Sequence, residues 1–313
     1  MHTTWPSGHA YLIGSRFSLE PRDVKVHSVF HSALNLLDEK GMLYTLVMHK
    51  GQVHPSSALV CFSDPCAGFD ECAFTQAHVG KFKEGSLFFD CGIWVSCKGA
   101  QRVHPSEESP PKLVTLKSSY LRKQMEILSS IQKEKQTALT MDALFAPACG
   151  KPSLSTLVSS HAKLLKESVQ TKNVDMAKRG IEGLLGLGPG STPSGDDFLC
   201  GFFLAMHMCQ YSSYGQDLQS YFSSITRILS DLIRKPLPIT TDVSIQLLGL
   251  ASEGLFSQPL IAMAKSFSSS VADRSSWEAL ATYGHSSGLD AGLGFLFAFS
   301  VLLPDFEYKG GIC

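Results

Sequence analysis

Residues 104–112 read His-Pro-Ser-Glu-Glu-Ser-Pro-Pro-Lys, a polar stretch with three prolines. Proline fixes φ and lacks an N–H, so this stretch sustains neither a helix nor a sheet ladder. It divides the chain into two unlike parts. Upstream, short β-like runs at 43–48, 58–62, 86–89 and 93–96 are separated by clusters of Gly, Pro, Asp and Ser. Within residues 24–39, Val26, Phe30, Ala33, Leu34 and Leu37 fall at helical spacing and Gly41 follows as a stop, which predicts one helix there. Downstream the period becomes helical. Leu121, Met125, Leu128 and Ile131 share one face, and Leu154, Leu157, His161, Leu164 and Leu165 share another. Further helices are predicted at 174–185, 196–210, 216–233, 241–253, 258–267, 275–282 and 290–302. The fold class is therefore α+β. A β-rich N-terminal domain with one helix spans 1–104, a linker 105–111, and an all-helical domain 112–313.

The 313 residues are 44% hydrophobic and 18% charged, an ordinary globular balance. Net charge is −1, from 27 basic and 28 acidic side chains, so no long-range field draws the protein to nucleic acid or an anionic membrane. The Lys-rich face of 112–135 also holds Glu126 and Glu134 with a single aromatic, Tyr120, and reads as a solvated helix face. The most apolar runs, 198–209 and 289–303, are shorter than the roughly 20 residues of a membrane span and read as buried helices. Nine cysteines with no C-x-x-C pair read as reduced thiols of a cytoplasmic protein, and the N-terminus lacks the order of a signal peptide. His27, His31 and Asn35 follow one another at helical spacing and read as a polar packing face, so no metal ligand set is identified.

Chemistry concentrates at Gly186-Leu-Gly-Pro-Gly-Ser-Thr-Pro-Ser-Gly-Asp-Asp197, which runs straight into the apolar stretch 198–206. Glycines let backbone N–H groups approach a ligand, and a helix start offers unpaired amides and the positive end of the dipole. Gly188, Gly190 and Gly195 supply that backbone, and Ser191, Thr192 and Ser194 add hydroxyls. Asp196 and Asp197 oppose a simple phosphate cradle. Carboxylates there suit an amino group, a carbamoyl NH2 or a bridging Mg2+, the one cofactor the pattern suggests. The competing reading is structural, because Ser194 is a good N-cap and acidic residues favour a first helical turn without any ligand.

An internal echo favours function. Tyr283-Gly-His-Ser-Ser-Gly-Leu-Asp290 overlays the first motif when Gly288 is laid on Gly195. Ser287 then falls on Ser194, Asp290 on Asp197, Gly294 on Gly201, Phe295 on Phe202 and Ala298 on Ala205, while Asp196 falls on Leu289. Two such helices are expected to pack as a pseudo-symmetric pair, with both turns at one end around a pocket. The catalytic candidates are Asp197, Asp290 and His285, the last as an acid or base or as a structural histidine. The substrate-binding candidates are Gly188, Gly190, Thr192, Ser194, Gly195, Asp196, Ser287 and Gly288. Thr240-Thr241-Asp242 opens another helix, either as an ordinary cap or as a third polar turn.

Taken together, GLGPGSTPSGDDFLCGFFLA, TTDVSIQLLGLASEG, GHSSGLDAGLGFLFAF and the N-terminal VHSVFHSALNLLDEKGMLYTLVM resemble the AllH-type subunits of oxamate carbamoyltransferase. The resemblance runs over nearly the whole chain, with Ser191 in place of an expected Leu. It implies a place in allantoin breakdown, where a multi-subunit assembly transfers a carbamoyl group between oxalurate and phosphate to give oxamate and carbamoyl phosphate. The implied partners are a small-molecule substrate and other subunits. The Ser-Thr-Arg-Thr phosphate signature of ordinary carbamoyltransferases is absent. Two alternatives stand beside this reading: a phosphate-handling enzyme akin to small-molecule kinases with a G-L-G-S-S-A loop, and a non-catalytic assembly subunit. A Walker A loop is excluded, because no Gly-Lys-Ser/Thr follows.

Overall fold

The computed structural model describes residues 7–63, 68–72, 74–113, 116–145, 153–210, 218–235, 239–269, 273–303, 306 and 308. The chain divides into two compact units, Met1–Glu108 and Ser109–Cys313.

The first unit is a nine-stranded sheet built from β1 (Ser7–Ile13), β2 (Arg22–Val29), β3 (Ala33–Asp38), β4 (Leu43–Val47), β5 (Ser57–Phe62), β6 (Val79–Lys83), β7 (Ser86–Phe89), β8 (Trp94–Ser96) and β9 (Gln101–Arg102). The order is β5-β4-β3-β2-β6-β7-β8-β1-β9, and β1 also pairs antiparallel with β5, which closes the sheet into a barrel. Alternate residues point inward, so Val24, Val26, Leu34, Leu36, Phe82 and Leu87 fill the interior. Phe17, Tyr44 and Phe82 meet there edge to face.

The helix expected over 24–39 is instead the β2–β3 hairpin, and among the described residues of this unit there is no α-helix. A β-bulge between Val26 and Ser28 shifts the pleat by one residue. Apolar residues on either side of it therefore imitate a helical period. The supposed helical stripe of His27, His31 and Asn35 is dispersed accordingly. His27 lies on β2, and His31 sits in the hairpin turn with Nδ1 3.1 Å from Asp70. Asn35 is buried on β3, donating to Ser28 at 2.9 Å and accepting from Thr45 at 2.8 Å. The segment expected as a linker also carries structure. Pro105–Glu107 forms a 3-10 turn, and the Ser15 N–H donates to the fully buried Glu108 carboxylate at 3.3 Å.

The second unit holds α1 (Ser118–Lys135), α2 (Met141–Phe145), α3 (Leu154–Thr171), α4 (Val174–Leu184), α5 (Ser194–Cys209), α6 (Gln219–Ile233), α7 (Asp242–Ser252), α8 (Gln258–Ser268), α9 (Arg274–Leu280) and α10 (Ser287–Leu302). α5 and α10 are apolar all round, which in a globular domain means a central position. Phe198, Phe202, Phe203, Phe295 and Phe299 on this pair are fully buried. The outer helices are two-faced. α1 buries Leu121, Met125, Leu128 and Ile131, whereas α3 buries Val158, Ala162, Leu165 and Val169 and turns Leu157 outward. Among the described residues, six cysteines are free thiols and no helix is long and apolar enough to cross a membrane.

Candidate functional site

α5 and α10 pack so closely that backbone meets backbone. A Cβ on Gly201 would lie 1.7 Å from the Ala291 carbonyl oxygen, and one on Gly294 would lie 1.9 Å from that of Phe198. Ala291 is the position that overlays Phe198, so each glycine meets the counterpart of the other's neighbour. This reciprocity is the mark of a pseudo-two-fold axis through the crossing.

The repeat continues into the turns. A Cβ on Gly195 or on Gly288 would lie 2.0 Å from the carbonyl oxygen that ends the preceding helix, that of Leu184 or Leu280. The Gly195 N–H donates to Leu187 at 2.8 Å, and the Gly288 N–H donates to Tyr283 at 3.0 Å. Each helix start is thus folded back tightly onto the helix before it. The first loop is the longer one, and its extra residues carry Gly188 and Gly190, both at positive φ, with Gly190 facing open space. Gly188 lies against Ser194.

Two sequence expectations change here. Ser194 and Ser287 are not N-caps. The caps are Pro193 and Ser286, without side-chain capping bonds, and the two serines open the helices. The helix-start amides expected to help cradle an anion are already engaged. Those of Asp196 and Asp197 donate to Pro193 at 2.9 and 3.1 Å, and that of Asp290 donates to Ser286 at 2.9 Å. Folding the loop back on itself consumes the donors that the helix starts would offer a phosphate.

What the turns bring together instead is hydroxyl and carboxyl groups. Thr192 Oγ1 and Ser287 Oγ share a hydrogen bond of 2.8 Å, joining the first turn to the second. Asp197 faces the hydroxyls of Ser287 and Thr192, and Asp290 faces those of Ser194 and Ser286. Each aspartate therefore looks at the serine of the opposite turn. Asp197 and Asp290 are buried, with Oδ2 of the first and both oxygens of the second lacking a partner in hydrogen-bond geometry. Burial pushes the Asp197 carboxyl well above the usual range, and the Asp290 and Asp196 carboxylates add to the rise against the Ser287 and Thr192 hydroxyls. Burial raises Asp290 to about 6, opposed by Ser194 and Ser286.

Asp196 behaves differently. It accepts from the Gly186 N–H at 2.9 Å and from the Thr240 hydroxyl, so both oxygens are spent on protein. Burial raises its carboxyl, opposed by Thr240, the Gly186 amide and Ser244. Its counterpart in the echo is Leu289, so this clamp exists only in the longer loop. Thr240 thereby brings in the third turn, while Thr241 caps α7 by accepting from the Ser244 N–H at 3.1 Å. His285 is exposed on the second turn.

Sequence reasoning passed over Tyr283 and Ser286, although both lie inside the quoted motif. Burial raises the Tyr283 hydroxyl, Asp197 adds to the rise, and Ser257 opposes it. The overlay sets Tyr283 on Gly190, and Leu187 takes its part only in accepting the helix-start amide, so neither comparison flags a tyrosine hydroxyl. Groups of three metal-ligating side chains, among the described residues, lie in the barrel at His78, Asp90 and Cys91 and at His31, Asp70 and Glu71, and none includes an aspartate of the turns.

Residues 184–299 match the family model described as oxamate carbamoyltransferase subunit AllH, and residues 7–102 match that of the AllH family N-terminal domain. No curated protein and no solved structure matches the chain. The first match begins at the last residue of α4 and takes in both turns and the crossed helices, and the second covers the barrel. With the two matches covering most of its length, the chain belongs to the AllH family.

Proposed function

We propose that this chain serves as the AllH-type subunit of an oxamate carbamoyltransferase, with the two facing turns as the seat of the carbamoyl group. The observation that carries the reading is the set of buried carboxyl oxygens without partners on Asp197 and Asp290. A carbamoyl NH2 offers two N–H donors and no positive charge, which suits a pair of carboxyls held above their ordinary ionisation range. The hydroxyls of Thr192, Ser194 and Ser287 and the open edge at Gly188 and Gly190 receive the oxygens of the substrate.

In phosphorolysis of oxalurate the bond between the carbamoyl carbon and the oxamate nitrogen breaks. A phosphate oxygen bonds to that carbon, and the departing nitrogen takes up a proton. Asp197, whose carboxyl burial pushes well above the usual range, is assigned as the donor. Asp290, raised only to about 6, is ionised at neutral pH and accepts the NH2. His285 exchanges the proton with solvent. Gly195 and Gly288 allow the tight helix starts, and Asp196 holds the loop in place. The reaction belongs to allantoin breakdown in the cytoplasm.

The test is oxalurate phosphorolysis by the purified chain together with the other subunits of the transferase. Asp197→Asn and Asp290→Asn are expected to lower the rate by roughly 100-fold or more while the melting curves stay cooperative. ATP turnover with Mg2+ and no oxalurate phosphorolysis would sink the reading in favour of a kinase-like enzyme. Unchanged phosphorolysis in both variants would leave an assembly role only.

A further inference from the structure

The barrel exposes what the helical unit hides. Among the described residues seven large apolar side chains are exposed, and six of them, Tyr11, Phe30, Met42, Val79, Phe88 and Trp94, belong to the first unit. Phe88 on β7 and Trp94 on β8 are direct cross-strand partners, their rings stacked at 6.4 Å with 21° between planes. On its other side Phe88 pairs with Lys81 of β6, and Lys81 pairs in turn with Asp23 of β2. One row of the outer face thus runs from charge to stacked aromatics.

Beside this row, next to Val79 and Phe88, opens a cavity of about 820 Å³. Its walls carry Asp23, Asp38, Glu39 and Asp90 against Lys25 and Lys81. Lys81 pairs with Asp23 at 3.2 Å, Arg22 lies 3.9 Å from Asp38, and Asp90 accepts from the Val79 N–H at 3.3 Å beside His78, so carboxylates outnumber lysines on the walls by four to two. The face is therefore apolar at its centre and acidic at its rim.

Monomeric domains seldom leave aromatic side chains stacked in water on rigid strands, and such pairs are common anchors of interfaces. A second copy of the chain is a poor occupant, because it would bring the same excess of carboxylates, four against Lys25 and Lys81, to the contact. The same carboxylates repel phosphate backbones. The matched family description names a subunit, so a different polypeptide is the natural occupant. We propose that this face docks a companion subunit of the transferase, which seats an apolar side chain against Phe88 and Trp94 and a lysine or arginine over Glu39 and Asp90. The identity of the occupant rests on the family-based reading above; the location of the surface does not.

The full chain, tagged and co-expressed with the other subunits of the transferase, provides the test. Capture of those subunits by the parental chain is expected to fall at least tenfold in the double variant Phe88→Glu/Trp94→Glu. It should fall several-fold in Glu39→Lys, rise in Lys25→Glu, and stay unchanged in Leu157→Glu, which alters the exposed apolar residue of the helical unit. Circular dichroism of each variant checks that the barrel stays folded. Capture by the double variant within twofold of the parent overturns the proposal, as does self-association of the chain alone that the double variant abolishes. If the parental chain captures no companion subunit, the family-based function falls with the docking face. If capture and phosphorolysis are intact but indifferent to Phe88 and Trp94, the docking face alone falls.

Discussion

The turn that opens α5 and the turn that opens α10 share a glycine packed on the preceding helix, a serine at the first helical position and an aspartate three residues on. They differ in what holds them. The second turn is short and closes on itself through the Gly288 amide. The first is longer and is tied by Asp196 to Gly186 and Thr240, bonds with no counterpart in the second. Repetition thus marks the aspartates with buried oxygens that lack a partner, Asp197 and Asp290, and its absence marks the one that serves the loop. Two adjacent aspartates in one motif have separate work.

The comparison breaks most decisively at the crossing. Gly201→Ala and Gly294→Ala place a methyl group on a carbonyl oxygen, which forces the helices apart. Each should cost roughly 3 kcal/mol in urea unfolding despite the better helix propensity of alanine. Similar losses at both positions support the pseudo-symmetry, and a stability gain at either would refute the close approach.

Next in size is a pH effect. The Asp290 carboxyl is raised from 3.8 to about 6, so the folded chain binds its proton more tightly than the unfolded chain does. Its contribution to stability is most favourable below pH 3.8, falls as pH rises to about 6, and is constant above that. Asp290→Asn should remove a decline of up to about 3 kcal/mol between those limits. Unfolding measured at the two ends, in parent and variant, checks it. Asp197 acts in the same direction, and an identical pH profile in parent and Asp290→Asn would contradict the burial of that carboxyl.

Asp196→Ala should destabilise by about 2 kcal/mol through loss of its bonds to Gly186 and Thr240. Faster amide exchange confined to the first loop would accompany the loss. Protection unchanged at Gly186 would contradict the clamp. The smallest effect belongs to the bridge between the turns. Thr192→Val removes the 2.8 Å hydrogen bond to Ser287 and should cost about 1 kcal/mol, visible as a small drop in Tm. No drop would mean that the two turns are held by the helices alone.

The helical unit was legible because its signals are local. Spacing, glycine stops and apolar runs located every helix from α3 to α10, and the overlay of residues 288 and 195 anticipated that α5 and α10 start from the same end. The barrel was less so. β1, β2, β3, β6 and β9 are too short or too polar to stand out, although β6 alternates strictly, and the bulge between Val26 and Ser28 turned a hairpin into an apparent helix. Register across a sheet is set by partners far away in sequence, as when Asn35 meets both Ser28 and Thr45. At the site, residue types and placement were legible, but the satisfaction of hydrogen bonds was not. That the helix-start amides are consumed by Leu187, Pro193 and Tyr283 follows from loop geometry, which composition does not encode.

β1 has a consequence for how the protein is made. It precedes the other described strands of the barrel, yet its partners are β5, β8 and β9, and β9 ends at Arg102. One edge waits for β5 and the other for β8 and β9, so both stay open while the intervening strands are made. Closure of the barrel is therefore a late, long-range step, slow in the manner of high-contact-order sheets. The helical unit waits too, since α10 follows α5 only after α6 to α9 and half of the carboxyl pair resides on it. A nascent chain stalled between α5 and α10 holds an apolar α5 without its mate, surface of the kind that chaperones shield.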